Sequence, residues 1–211
     1  MRLPVVAAAA LALTLGACGG GDDRGPTDPL SKESARKALI TSDDMPYSWK
    51  IDLDSGVAFK GAVTKGPAEC NEVLDQKITA PVVQKAAFKA SDAGPFFAET
   101  ITSFQGAGAT QDFDTGVERL GRCTAFTVEN KDGRSLKMRV EKVGEPDLGD
   151  RAVEYNIGGR VEGVSFRMNL VVAQVGQTVV GVTRYAIEDE MPQARFTALA
   201  ELAVERVVAQ S

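Results

Sequence analysis

The residues able to do chemistry in this chain are carboxylates, hydroxyls and three cysteines, because histidine is missing from all 211 positions. That removes the general base of a Ser-His-Asp triad or Cys-His pair, and with it the commonest metal ligand. Carboxylate pairs remain: Asp22-Asp23, Asp43-Asp44, Asp52 with Asp54, and Glu188 with Glu190. Two carboxylates cleave a bond only when they face each other across a cleft in unlike environments. Asp and Glu at turns and helix starts already have structural reasons to be there. Asp52-Leu53-Asp54-Ser55-Gly56 is not a calcium loop, since it lacks a third ligand and the closing glutamate. Ser34-Ala35-Arg36-Lys37 matches the S-x-x-K of serine enzymes that act on penicillin, yet the partner motifs S-D-N and K-T-G do not occur. Gly106-Ala107-Gly108-Ala109-Thr110-Gln111 has Gln111 where a dinucleotide fingerprint needs its third glycine. The aromatics Tyr47, Trp49, Phe96, Phe97 and Phe104 read as core residues rather than a ligand box. The chain is therefore read as non-enzymatic, with no catalytic residue, cofactor or metal assigned.

The formal net charge of −5, with basic residues scattered among acidic ones, argues against a nucleic-acid partner. Apolar content of 44% is enough to build an ordinary core. The length suits one domain behind a leader.

The amino terminus explains the odd cysteine count. Arg2 precedes an apolar run from Leu3 to Ala17, shorter than the about 20 residues that cross a bilayer and right for a secretory h-region. Its end, Leu15-Gly16-Ala17-Cys18, resembles the lipobox of bacterial lipoproteins. The resemblance implies a diacylglyceryl group on Cys18 and cleavage just before it. With Cys18 lipidated, two cysteines remain, Cys70 and Cys123, and an oxidising compartment pairs them. Residues 1–17 are thus read as signal peptide. Residues 18–30 are the lipidated cysteine and a Gly/Asp/Pro tether reaching about 40 Å when stretched. Residues 31–211 are one extracytoplasmic domain.

Within that domain the spacing predicts helices over Lys32–Ile40 (Ser31 as N-cap), Pro67–Gln76, Thr110–Cys123 (Thr110 as cap, Asp112 and Asp114 in its first turn) and Pro192–Val208. Strands are expected around Trp49–Leu53, Val57–Val63, Val82–Ser91 and Phe96–Gln105. Further strands form a hairpin over Thr124–Val143 and run over Ala152–Ile157, Val164–Val175 and Thr178–Ile187. Asn130 to Gly133, Gly158-Gly159 and Gly176-Gln177 read as turns. The expected class is α+β: an antiparallel meander of about five to six strands, one face covered by two to four helices.

Four landmarks together resemble a known family. They are Ala38 to Pro46 with Trp49 just after, Ala68-Glu69-Cys70 with Val73-Leu74, Leu120 to Phe126, and Leu148-Gly149-Asp150 before a strand. They are similar to the PknH-like extracellular sensor domains of actinobacterial kinases and lipoproteins. The resemblance implies an antiparallel sheet with helices against it and a cleft that takes a ligand. The family's kinase sensor has a second disulfide, for which this chain has no cysteine after Cys123.

The functional expectation is a lipid-anchored, non-catalytic sensor-like module outside the cell membrane. It would be attached through the lipid on Cys18 and bind a small molecule, a lipid or an envelope protein. A lipid or glycolipid carrier is the alternative, and a carboxylate hydrolase a more distant one. Cys18→Ala is expected to abolish palmitate labelling and leave unprocessed precursor in metabolically labelled cells; normal labelling would refute the anchor.

Overall fold

Where apolar residues recur and where the chain must turn decides the elements. A computed structural model of the chain describes residues 28–46, 48–53, 61–74, 78–130, 135–161, 164–187 and 191–210. The leader with Cys18, Asp22-Asp23, Tyr47, Asp54, Lys131 to Gly133 and Glu188 to Glu190 lie outside the described residues. In chain order the elements are α1 (Lys32–Ala38), β1 (Lys50–Ile51), β2 (Gly61–Lys65), α2 (Glu69–Leu74), β3 (Val82–Lys89), β4 (Phe96–Ser103) and α3 (Gly108–Arg122). Then come β5 (Ala125–Asn130), β6 (Ser135–Gly144), β7 (Arg151–Val161), β8 (Val164–Val175), β9 (Thr178–Ile187) and α4 (Gln193–Val208).

All nine strands form one antiparallel sheet in the order β1-β3-β4-β9-β8-β7-β6-β5-β2. This corrects the expected five or six. The meander β5 to β9 forms as anticipated, and β9 then recruits β4 over the full register from Phe96↔Tyr185 to Ser103↔Thr178. Local sequence cannot signal that pairing, which joins two segments far apart in the chain. Gly158-Gly159 is a second correction: both glycines lie inside β7, opposite Arg139 and Met138 of β6. A Cβ on Gly159 would sit 2.3 Å from the Lys137 carbonyl oxygen, so only glycine lets the strands approach there.

Both faces carry helices, not one. On the first, α1 and α4 cover Phe88, Phe97, Ile101, Val171, Ala173, Val180 and Val182. α4 has the reason in its sequence, since Phe196, Leu199, Ala200, Ala203, Val204 and Val207 recur at three- and four-residue steps and are all buried. On the second face lies a separate core of Phe113, Leu120, Phe126, Val128, Met138, Tyr155 and Ile157, with Cys70 and Cys123 at its edge.

Several boundaries move. Ser31 caps α1 as expected, accepting from the Ser34 amide at 3.0 Å. The helix ends at Ala38, because Leu39 turns extended (ψ 145°) and Ile40 drops into the core. Leu30 is already buried, its amide donating to Ser103 Oγ, so ordered packing begins one residue before Ser31. α3 starts at Gly108 with Ala107 as its N-cap. Thr110 and the following Asp112 and Asp114 therefore lie past the position predicted for them. Gly106 (φ +58°) makes the preceding turn, and a Cβ on Gly108 would strike Phe104 Cβ at 2.7 Å. The predicted alternation Trp49–Leu53 yields only the two-residue β1; Ile51 and Leu53 are exposed because this edge strand pairs with β3 alone. No helix among the described residues is long and apolar enough to cross a membrane.

Cys70 of α2 and Cys123 at the end of α3 are disulfide-bonded, with Cα atoms 5.0 Å apart. The bridge ties α2 to the core across 53 residues. Closing such a loop stabilises the fold by about 4 kcal/mol in the chain-entropy account. Cys70→Ala/Cys123→Ala is expected to lose roughly that much in urea unfolding at pH 7. Loss below about 1 kcal/mol would show α2 to be held by packing instead.

Candidate functional site

The described helices α1 and α4 cover only half of the first face of the sheet. The registers place Lys65, Thr127, Lys137, Arg160 and Ser165 in one row across β2, β5, β6, β7 and β8. The next row on the same face holds Ala125, Arg139, Gly158 and Arg167. Their chain neighbours Phe126, Met138 and Phe166 point the other way and are buried. These rows line an open groove of about 1100 Å³ whose walls carry Lys65, Lys137, Arg139, Arg160 and Arg167 and, among the described residues, no acidic side chain. Five cations dispersed over the sequence are thus gathered by strand register. Sequence reading, which found no basic cluster, missed this site; the period-two placement of Lys137 with Arg139 was a signal of it, and Arg160 opposite Lys137 emerges only with the register.

Lys137 and Arg160 stand directly opposite each other on neighbouring strands, and Arg160 holds a further interaction of its own. Row two leaves a notch: Gly158 separates Arg139 from Arg167, which lie two strands or about 10 Å apart. Glu129 and Glu141 share the face one row outside the groove on either side, without lining it.

Between the groove and the helices runs a polar ladder formed by Asn156, Asn169 and Arg184, each opposite the next. Asn169 donates to Asn156 and accepts from Arg184 Nε at 3.0 Å. The buried Arg184 guanidinium also donates to the Met191 carbonyl and to Gln193 Oε1, and lies 5.5 Å from the Phe196 ring. It therefore pins the start of α4. Alternation alone predicts apolar residues at 169 and 184, so their polarity was a readable signal of a border.

A second perturbed group lies beneath the helices. Glu99 of β4 is 1% exposed; its Oε2 accepts from the Ile40 amide at 2.7 Å and its Oε1 has no partner. Burial pushes its carboxyl up from 4.5 to about 7, against the opposing pulls of the Ile40 N–H and of Arg206. Arg206 itself donates to the Leu39 carbonyl and to Asp44 Oδ1 at 2.7 Å. Asp44 Oδ2 accepts from the Thr41 amide and hydroxyl, and its carboxyl is held below the usual value despite partial burial. This cluster clamps the segment after α1 to α4.

The sequence candidates separate in space. Asp44 belongs to that clamp and Asp52 pairs with Lys89 at 3.0 Å. Ser34 bonds to Ser31 while Lys37 pairs with Glu33, so the S-x-x-K residues do not meet. Among the described residues no cluster of three metal-ligating side chains occurs. The loop after β4 leads into α3, whose Thr110 accepts from Gln174 and whose Asp114 pairs with Arg151, both structural contacts. Phe97 and Trp49 pack in the first core and Phe104 in the second, while Phe96 stacks 5.5 Å from Tyr185. No common aromatic pocket is formed from them.

No family model matches the chain, and no curated protein does. Among solved structures, the crystal structure of the extracellular domain of PknH from Mycobacterium tuberculosis superposes with a TM-score of 0.63 over 86% of this chain and 98% of that one, at 14% identity. The likeness is one of fold.

Glu99 yields a signed pH dependence. Its folded value lies above 4.5, so between that pH and about 7 the folded state keeps a proton the unfolded chain releases. Stability from this group is present at low pH and is lost as pH rises through about 7. Glu99→Gln is expected to unfold at higher urea than the parent at pH 8, by a margin that shrinks at pH 5. An equal margin at both would remove the assignment.

Proposed function

We propose that the chain is an exported, lipid-anchored and non-catalytic binding module of the sensor-like kind, with the groove over β5 to β8 as its binding face. The observation that carries this reading is the groove: an open concavity on a half-sheet that no described helix covers, with Lys65, Lys137 and Arg139 exposed along it. The fold likeness to an extracellular domain supports export, and so does a disulfide, which persists in oxidising compartments. Anchoring rests on the lipobox-like Leu15 to Cys18 alone.

The absence of catalysis is supported by what surrounds the carboxylates. Asp44 and Asp52 are taken up by cations, and Glu99 is sealed beneath Ile40 away from the groove. A carrier enclosing acyl chains is less well supported: the apolar spaces on both faces are filled by packed side chains, and the groove is rimmed by charge.

The test is blind to ligand charge. Amide-resolved NMR of the full chain in neutral micelles is followed against separate pools of neutral, cationic and anionic fragments. At least one pool is expected to move the signals of residues 137–139 and 158–160. Shifts confined to other surfaces, or none at all, would remove the groove as the binding face.

A further inference from the structure

The cation rows specify more than a place. Lys65, Lys137 and Arg139 are all exposed, on side chains long enough to lift their charge well above the strands. Arg160 and Arg167 line the same groove and hold further interactions of their own. The choice of ligand class therefore rests on the first three residues with the Gly158 notch. A small soluble anion is held by buried, converging donors that replace its water. Nothing of that kind is present here. The floor is a pleated strand surface (Ala125, Gly158) and the row from Lys65 to Ser165 extends about 19 Å across five strands. A second row stands about 7 Å away along the strands. Such a field of exposed charge fits several shallow anions side by side better than one deeply held anion. Strand twist of roughly 20–25° per step turns this half of the face away from α1 and α4, so the helices do not shadow it.

We infer that the groove receives the phosphate head groups of anionic phospholipids, seating the domain on the membrane surface by this face. The inference rests on the reading of the groove as the binding face. Each Lys or Arg brought to an anionic bilayer adds attraction, and a lipid chain joined to a basic patch anchors more firmly than either alone.

The test uses the full chain reconstituted in vesicles of phosphatidylcholine, with or without phosphatidylglycerol. Lysine acetylation is followed residue by residue by peptide mass spectrometry. Lys65 and Lys137 are expected to react roughly tenfold more slowly in the phosphatidylglycerol vesicles, as mass action on a well-occupied site requires. Lys85, on the opposite face of β3 at the far end of the sheet, is expected to react equally in both. Arg139→Glu is expected to restore the rate at Lys137, with Arg139→Gln between the two; both sites are exposed, so neither change disturbs a core. Equal rates in the two vesicles would overturn the inference. So would protection by tripolyphosphate in pure phosphatidylcholine without any protection by phosphatidylglycerol, which would mark a soluble anion. Fragments entering the groove in the NMR titration without lipid-dependent protection would leave the binding face standing and overturn the head-group assignment alone. Failure of both would take both.

Discussion

The structure depends on a mismatch between the width of its sheet and the helices available to cover it. Nine strands at about 4.8 Å spacing make a sheet about 38 Å wide, whereas one helix covers about 10 Å. On the first face α1 and α4 sit over β3, β4, β9 and β8, where the exposed apolar surface would otherwise be largest. The rest of that face must be polar. The border is made by Asn156, Asn169 and Arg184, which satisfy one another and hold the first turn of α4 against the sheet. Beyond it comes the groove. Solubility explains why a half-face without a described helix is polar, and strand register explains why Lys65, Lys137 and Arg139 gather on it.

What was legible in the sequence is what local periodicity and turn chemistry encode. The stripe of α4, the Ser31 cap, the β5–β6 hairpin and the Gly176-Gln177 turn all follow from spacing within a few residues. The Cys70–Cys123 bond follows from parity once Cys18 is set aside. What was not legible depends on partners distant in the chain. The β4–β9 pairing joins β1, β3 and β4 to the other six strands, yet neither strand contains a residue that names the other. Gly158-Gly159 looks like a turn because glycine pairs usually are, and only the nearness of the Lys137 carbonyl explains a glycine within a strand. The groove is the extreme case. Its cations come from four strands and meet only after the register is known.

The landmarks that carry the family resemblance have a common physical character. Thr41 to Asp44 is clamped by Arg206 and Arg195 of α4. In the Leu148-Gly149-Asp150 turn, Gly149 takes φ +61° with the Gln174 carbonyl 2.4 Å from any Cβ it might bear, and Asp150 accepts from the Gly176 amide. Leu120, Cys123 and Phe126 are buried together in the second core. Each is a clip that fastens one segment of the fold to another, and only the Leu120 to Phe126 landmark reaches the groove, through Ala125 and Phe126. At 14% identity the likeness is one of fold, so what the groove takes is argued from its own residues.

Net charge is a poor guide to such a molecule because its charges are segregated. The chain sums to −5, and the groove holds five cations, so taking five from −5 leaves −10 on everything else. A body of that polarity is not repelled uniformly by an anionic surface. On the proposed reading the field turns it so that the basic groove faces the surface, within the roughly 8 Å over which physiological salt lets charges act. On the proposed head-group reading, the placement of Lys65, Lys137 and Arg139 on one half-face gives the domain a preferred attitude at a membrane, set by strand register rather than by any local motif.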